Sequence, residues 1–270
     1  MGIPRQLSLF LVATQFLTRL PVPAITDFQP LCLARSARYF PLVGALVGAI
    51  NVGIWWLCNR CFPPAVSVGL MMTGSLLVTG AFHEDGFADA CDGFGGARTP
   101  EHVLSIMKDS RIGAYGAIGV AMMLGLKWAT LVALPGAAIP LFVVGAHTIS
   151  RWCSIGLIWG LHYVRFEADG KSKPLADSLS GLDWALSGLI GAAALAPLML
   201  VSDNPLHRPI CGAFLGAGIA AALGACVAAA YFKSRVGGYT GDCLGAAQQV
   251  SELAFLLAAL GVLAPLRLAG

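Results

Sequence analysis

Polar residues in this chain fall between long apolar runs instead of alternating with them. Seven stretches of about 20 residues are apolar enough to cross a bilayer: 39–58, 64–82, 113–134, 138–160, 183–201, 210–232 and 251–268. The pattern predicts an all-α fold, a polytopic integral membrane helix bundle of about seven transmembrane helices forming one domain over residues 1–270. Residues 1–20 are shorter and carry Arg5 and Arg19, so they predict an interfacial or re-entrant helix. No small-residue cleavage site follows that run, which argues against a cleaved leader. No internal repeat stands out. Glycines within the spans, as in Gly44-Ala-Leu-Val-Gly48, suit close helix packing.

Composition agrees: 57% of residues are hydrophobic and 11% charged, where soluble domains carry about 25%. A net charge of +3 makes no case for a nucleic-acid partner. The distribution of charge says more. With the N-terminus inside, twelve of the 17 Lys and Arg fall on the inner side, Arg60, Arg208 and Arg267 fall outside, and Lys127 and Arg151 lie within spans. That asymmetry predicts a bacterial inner-membrane protein whose charged loops face the cytoplasm. Of the 14 acids only Asp203 falls outside, and the charges deep in the spans are all basic. Lys127 is expected to snorkel outward. Most of the eight cysteines read as small hydrophobes within spans. Cys58-Asn-Arg-Cys61 has CxxC spacing but no second ligand pair.

The scarce acids gather in Gly80-Ala-Phe-His-Glu-Asp-Gly-Phe-Ala-Asp-Ala-Cys-Asp-Gly93. Read as a helix continuing the second span, this puts Asp85, Asp89 and Asp92 at i, i+4 and i+7 on one face. Three carboxylates on one face repel one another, and a hard divalent cation such as Mg²⁺ relieves the repulsion. An N-terminal dipole cap needs fewer acids. Glu84 points elsewhere, and His83 cannot reach the whole triad. Arg98, Lys108 and Arg111 follow as candidate phosphate ligands, with membrane-interface anchoring as the plainer role of Lys108 and Arg111. Asp109 is a carboxylate for which an anchor has no use. A later loop, Lys233 to Gly245, offers Gly238 and Gly241 for close approach of backbone to ligand, and Asp242 for metal or hydroxyl. Lys233 and Arg235 are placed to meet phosphate there. Gly170-Lys-Ser-Lys-Pro174 lacks P-loop spacing and reads as a basic flap or a solvated loop. His147 and Arg151 share one face of the fourth span, and an arginine at that depth usually lines a cavity.

Three separated segments resemble the cobalamin synthase (adenosylcobinamide-GDP ribazoletransferase) family: His83-Glu-Asp-Gly-Phe-Ala-Asp-Ala-Cys-Asp-Gly93, Met107-Lys-Asp-Ser-Arg-Ile-Gly-Ala-Tyr-Gly116 and Gly237-Gly-Tyr-Thr-Gly-Asp-Cys-Leu-Gly-Ala246. Thr14–Pro23 and Tyr39–Gly44 also look like the start of that family. The resemblance implies joining of α-ribazole, or its 5′-phosphate, to adenosylcobinamide-GDP with release of GMP, and Mg²⁺ as cofactor. On that view Asp85, Asp89, Asp92 and Asp109 are metal ligands. Asp89, Asp92, Asp109 and His83 are catalytic, the base being Asp109 or His83. Arg98, Lys108, Arg111, Arg151, His147, Gly238, Gly241 and Asp242 bind substrate. Membrane lipid surrounds the protein, and assembly with other enzymes of the B12 pathway is a hypothesis. Two other readings compete. A CDP-alcohol phosphotransferase shares the opening Asp89-Ala-Cys-Asp-Gly93, but the spacing after Gly93 departs from that family. A divalent-ion transporter would hold its acids nearer the bilayer midplane.

Overall fold

The computed structural model describes residues 5–23, 30–164, 179–200 and 207–268. They form eleven α-helices: α1 Arg5–Leu17, α2 Pro30–Ser36, α3 Phe40–Cys58, α4 Pro64–Thr79, α5 Phe82–Gly96, α6 Pro100–Ile106, α7 Ala114–Ala133, α8 Ile139–Gly160, α9 Gly181–Leu200, α10 His207–Val236 and α11 Gly241–Leu268. Prolines in the first turns of α3, α4, α6 and α8 start those helices where no amide needs a partner. Among the described residues the β-pairing is one isolated bridge, Tyr163 to Tyr239.

Six segments are long and apolar enough to cross a membrane: Cys32–Cys58, Ala114–Ala133, Gly136–Gly160, Gly181–Met199, Pro209–Val236 and Gly241–Ala264. The seventh expected span, 64–82, differs. α4 stops at Thr79, and α5 leaves at 89° to it. Gly80 and Ala81 both adopt left-handed φ, +66° and +55°. The glycine does so freely, whereas Ala81 is strained. Arg19 lies over this elbow, its amide donating to the Val78 carbonyl (2.7 Å), and a side chain at Gly80 would run into its guanidinium. The acidic segment is therefore a separate helix turned across the end of the bundle, not a continuation of the second span. The last span also differs, since α11 begins at Gly241, ten residues before the start of the apolar run.

α8 is the axis of the bundle, packed on α3, α9, α10 and α11. Phe142 of α8, Phe214 of α10 and Phe255 of α11 meet with ring centroids 5.3–5.9 Å apart. Outward, α7 shows Ile118, Met122 and Leu126, and α10 shows Leu215, Ile219, Leu223 and Val227. Those four-residue spacings make continuous apolar stripes that only lipid or another apolar surface would cover. The alternation of helices brings the start of α3, the α4–α5 elbow, the start of α7, the end of α8 and the start of α11 to one end.

Candidate active site

Three of the aspartates stand along α5, and the fourth, Asp242, is in the first turn of α11. Gly86 makes their proximity feasible: a Cβ there would sit 3.1 Å from the Asp242 backbone. Asp85, Asp92 and Asp242 all act electrostatically on Asp89. Asp92 is buried, and its two oxygens accept from the amides of Gly113 (2.7 Å) and Gly116 (2.8 Å), at the N-terminus of α7. It is an anchor between helices more than a free ligand. Among the described residues, no three His, Cys, Asp or Glu side chains converge tightly enough to hold a metal ion by themselves. Asp85 is exposed and Asp89 half-buried, and no lysine or arginine pairs with either among the described residues. Uncompensated hard oxygen donors in an incomplete set fit Mg²⁺, which keeps waters and takes substrate phosphates as its other ligands.

The basic residues divide. Arg98 and Lys108 are exposed beside the end of α5 and α6. Arg111 is held by Asp109, its Nε donating to both carboxylate oxygens (3.0 and 3.1 Å) and its Nη2 to Oδ2 (2.6 Å). Those bonds push the Asp109 carboxyl down to about 2. So firmly ionised a carboxylate is a poor proton acceptor, and its guanidinium partner is already neutralised. The pairing argues against Asp109 as base and against Arg111 as phosphate clamp. Arg235 is engaged by the protein as well. Its Nη2 donates to the Ala97 and Phe94 carbonyls (2.7 and 3.3 Å), closing the C-terminal end of α5.

Gly238 is a structural glycine. A side chain there would strike the His162 carbonyl, to which the Tyr239 amide donates at 2.9 Å. The close approach is to the chain's own backbone, not to a ligand. Gly241 opens α11. The basic segment 165–174 lies outside the described residues. All eight cysteines are free, and Cys58 and Cys61 share the terminal turn of α3.

Behind the carboxylates lies a buried polar network that the apolar pattern did not reveal. Lys127 is 4% exposed and donates to Glu252 (2.6 Å), so it points inward instead of snorkelling to the surface. Glu252 also takes the Gln248 amide (2.6 Å) and lies 3.3 Å from His147 Nδ1, while His147 Nε2 meets Asn51 at 3.0 Å. The deep charges are thus not all basic. Gln249 reaches Glu84 on α5 (3.0 Å). Arg151 donates from Nη1 to the His147 carbonyl (2.9 Å). His147 therefore serves the interior. His83 is buried and borders a cavity with Arg151 and Ser154, turned away from the carboxylates. Reading α11 from Gly241 would have shown Gln248, Gln249 and Glu252 as a polar face inside a spanning helix.

The three matched segments also touch pairwise: Asp92 holds Gly113 and Gly116, Gly86 abuts Asp242, and Thr240 Oγ1 lies 3.9 Å from Met107 Sδ. The sequence pattern of the cobalamin-5-phosphate synthase family matches residues 9–260. The chain is 45% identical over 247 residues to the adenosylcobinamide-GDP ribazoletransferase of Ralstonia pickettii, covering 90% of this chain and 91% of the relative. It is 43% identical to that of Leptothrix cholodnii (92% and 93% covered) and 43% identical to that of Shewanella frigidimarina (96% of each). No solved structure matches. The chain belongs to the cobalamin-5-phosphate synthase family.

Proposed function

We propose that the protein is a multi-pass membrane transferase that joins α-ribazole, or its 5′-phosphate, to adenosylcobinamide-GDP and releases GMP; its relatives carry the name adenosylcobinamide-GDP ribazoletransferase. The observation that carries the reading is the contact of the three matched segments, which brings Asp85 and Asp242 near enough to act electrostatically on Asp89. A ribose hydroxyl of the acceptor attacks the phosphorus on the cobinamide side of the diphosphate. The new P–O bond forms as the bond to the GMP oxygen breaks, and the hydroxyl loses its proton. Asp89, on which the other three carboxylates bear, is our candidate proton acceptor. Asp85 and Asp242 would hold Mg²⁺ against the diphosphate, and the ion would neutralise charge developing on the phosphoryl oxygens. Asp92 keeps α5 fixed to α7. Arg98 and Lys108 are exposed beside this face and suit the diphosphate.

We place the carboxylate end on the cytoplasmic side of a bacterial inner membrane. Arg19, Arg38, Arg98, Lys108, Arg111, Lys233 and Arg235 all belong to that end, and Arg60 to the other. The family match disfavours the CDP-alcohol and ion-transport readings.

The test is an assay of purified protein in liposomes with adenosylcobinamide-GDP, an α-ribazole acceptor and Mg²⁺, following GMP and the new corrinoid with and without chelator. Chelator-sensitive formation of both products is the expected result. Folded protein that makes neither refutes the proposal, and turnover indifferent to chelator removes the metal.

A further inference from the structure

The closest approach of α5 to α11 is made by glycines. A Cβ at Gly86 would meet the backbone of Asp242 and Gly245, and one at Gly245 would meet the backbone of His83 and Gly86. Bare backbone lets two helices come close but gives no side chain at that point to fix their rotation or slide. A directional contact lies one turn beyond Gly245. Glu84, the residue before Asp85, turns into the bundle, and its Oε1 accepts from Gln249 Nε2 (3.0 Å). Gln249 stands two turns after Asp242 on the same face of α11.

The Gln249 amide is fully claimed. Its oxygen accepts from Lys127 Nζ, and its nitrogen donates to Gln248 Oε1 (2.8 Å) as well as to Glu84. The side chain is 1% exposed. Turned over, the amide would set its N–H groups against the Lys127 ammonium and its oxygen against the Glu84 carboxylate, so the ammonium dictates which way it faces. Glu84 Oε2 is buried with no partner, which leaves Gln249 as the one side chain hydrogen-bonded to the Glu84 carboxylate among the described residues. Further along α5, Asp92 is held by the α7 amides. The helix is pinned at two points by different neighbours, and Asp85 and Asp89, between them, take their direction from both.

We propose that Gln249 is a positioning residue: oriented by Lys127, it holds Glu84 and so fixes the start of α5 in the rotation that turns Asp85 and Asp89 toward Asp242. Glu84 takes part as a hydrogen-bond acceptor, not through its charge. The consequence for turnover rests on the transferase reading above.

The experiment follows GMP release and backbone hydrogen exchange in detergent for Gln249→Met, Glu84→Gln, Gln249→Glu and the exchanged pair Glu84→Gln/Gln249→Glu. Gln249→Met cuts the lock and lowers kcat by at least about tenfold while the KM values stay within about threefold, since misplacing reacting groups by about 1 Å can cost a hundredfold in rate. The amides of Phe82–Asp89 exchange faster, and those beside Asp92 do not. Glu84→Gln still offers an oxygen to Gln249 and keeps kcat near the wild-type value. Gln249→Glu opposes two carboxylates and fails like Gln249→Met. The exchanged pair again sets an amide against a carboxylate, with Lys127 bound, and recovers both kcat and slow exchange, a rescue that a merely structural role would not produce in kcat alone. An exchanged pair as poor as Gln249→Glu, a Gln249→Met protein with wild-type kcat, or a Glu84→Gln protein as inactive as Gln249→Met overturns the assignment, the last by making the charge of Glu84 itself necessary. Should Gln249→Met fail to fold, Glu84→Met cuts the same bond from α5 and is read in its place. A wild type that releases no GMP overturns the transferase reading alone. The exchange series then decides the lock, and Phe82–Asp89 amides indifferent to Gln249→Met overturn it.

Discussion

Lys127→Met removes the ammonium that the structure buries against Glu252 and Gln249. The perturbation is sharp because Glu252 is 6% exposed and keeps only neutral Gln248 and a 3.3 Å approach to His147. Deleting one partner of a buried ion pair costs about 3–5 kcal/mol. For a chain of this size each kcal/mol moves the melting temperature by about 2–4 °C, so a fall of at least about 6 °C is expected in detergent. Lys127→Met/Glu252→Gln removes both charges and leaves an amide oxygen for Gln248. It recovers most of the loss, because exchanging a buried pair for neutral groups costs far less than orphaning one member. Glu252→Gln alone isolates the ammonium and completes the double-mutant cycle. A Lys127→Met protein that melts like the wild type would refute the reasoning and return the ammonium to the membrane surface.

Asp89→Asn lowers GMP release by at least about a hundredfold, the scale expected when charge stabilisation at a reacting phosphate is lost, while membrane insertion measured by fractionation is unchanged. Arg111→Gln changes kcat/KM by less than about threefold, since its partner is an exposed carboxylate and such pairs contribute little. The depressed carboxyl of Asp109 makes a contribution that is present above its ordinary value of 3.8 and lost as pH falls through about 2. Asp109→Asn therefore leaves the acid limb of the pH–rate profile where it was, and a displaced limb restores Asp109 as a candidate base. Gly238→Ala drives a Cβ into the His162 carbonyl and destabilises by about 1–3 kcal/mol, read as a lower melting temperature and faster proteolysis near Tyr163.

Six of the seven expected spanning helices were legible because a bilayer demands long unbroken apolar runs, and the chain supplies them. The α4–α5 elbow was not, because periodicity carries no sign of two successive left-handed residues, and Ala81 is not a residue type that announces one. Lys127 was misread for a related reason. Hydropathy gives depth, not the direction in which a side chain points. Its partner Glu252 sat in the ambiguous margin between loop and span until α11 was seen to begin at Gly241. Asp92 and Asp109 show the same limit at the site. Helical spacing put Asp92 on the face of Asp85 and Asp89, but could not show that the α7 amides claim both of its oxygens. The two-residue separation of Asp109 and Arg111 concealed that the two side chains form an ion pair with each other.

That division of labour sharpens the candidate chemistry. Each matched segment holds residues whose work is to hold another segment: Asp92 for the start of α7, Gly86 for the backbone of α11, Gly238 for the strand-like stretch at Tyr163, Thr240 beside Met107. Subtracting them leaves Asp85, Asp89 and Asp242, carboxylates held close by the helices that carry them; neither Asp85 nor Asp89 is ion-paired with a lysine or arginine among the described residues. Like charges brought together at the edge of an apolar bundle destabilise the fold unless something positive joins them. On the proposed reading a cation and the diphosphate it binds relieve that cost when they arrive together, and part of the binding energy for the substrate complex would then be stored in the free protein.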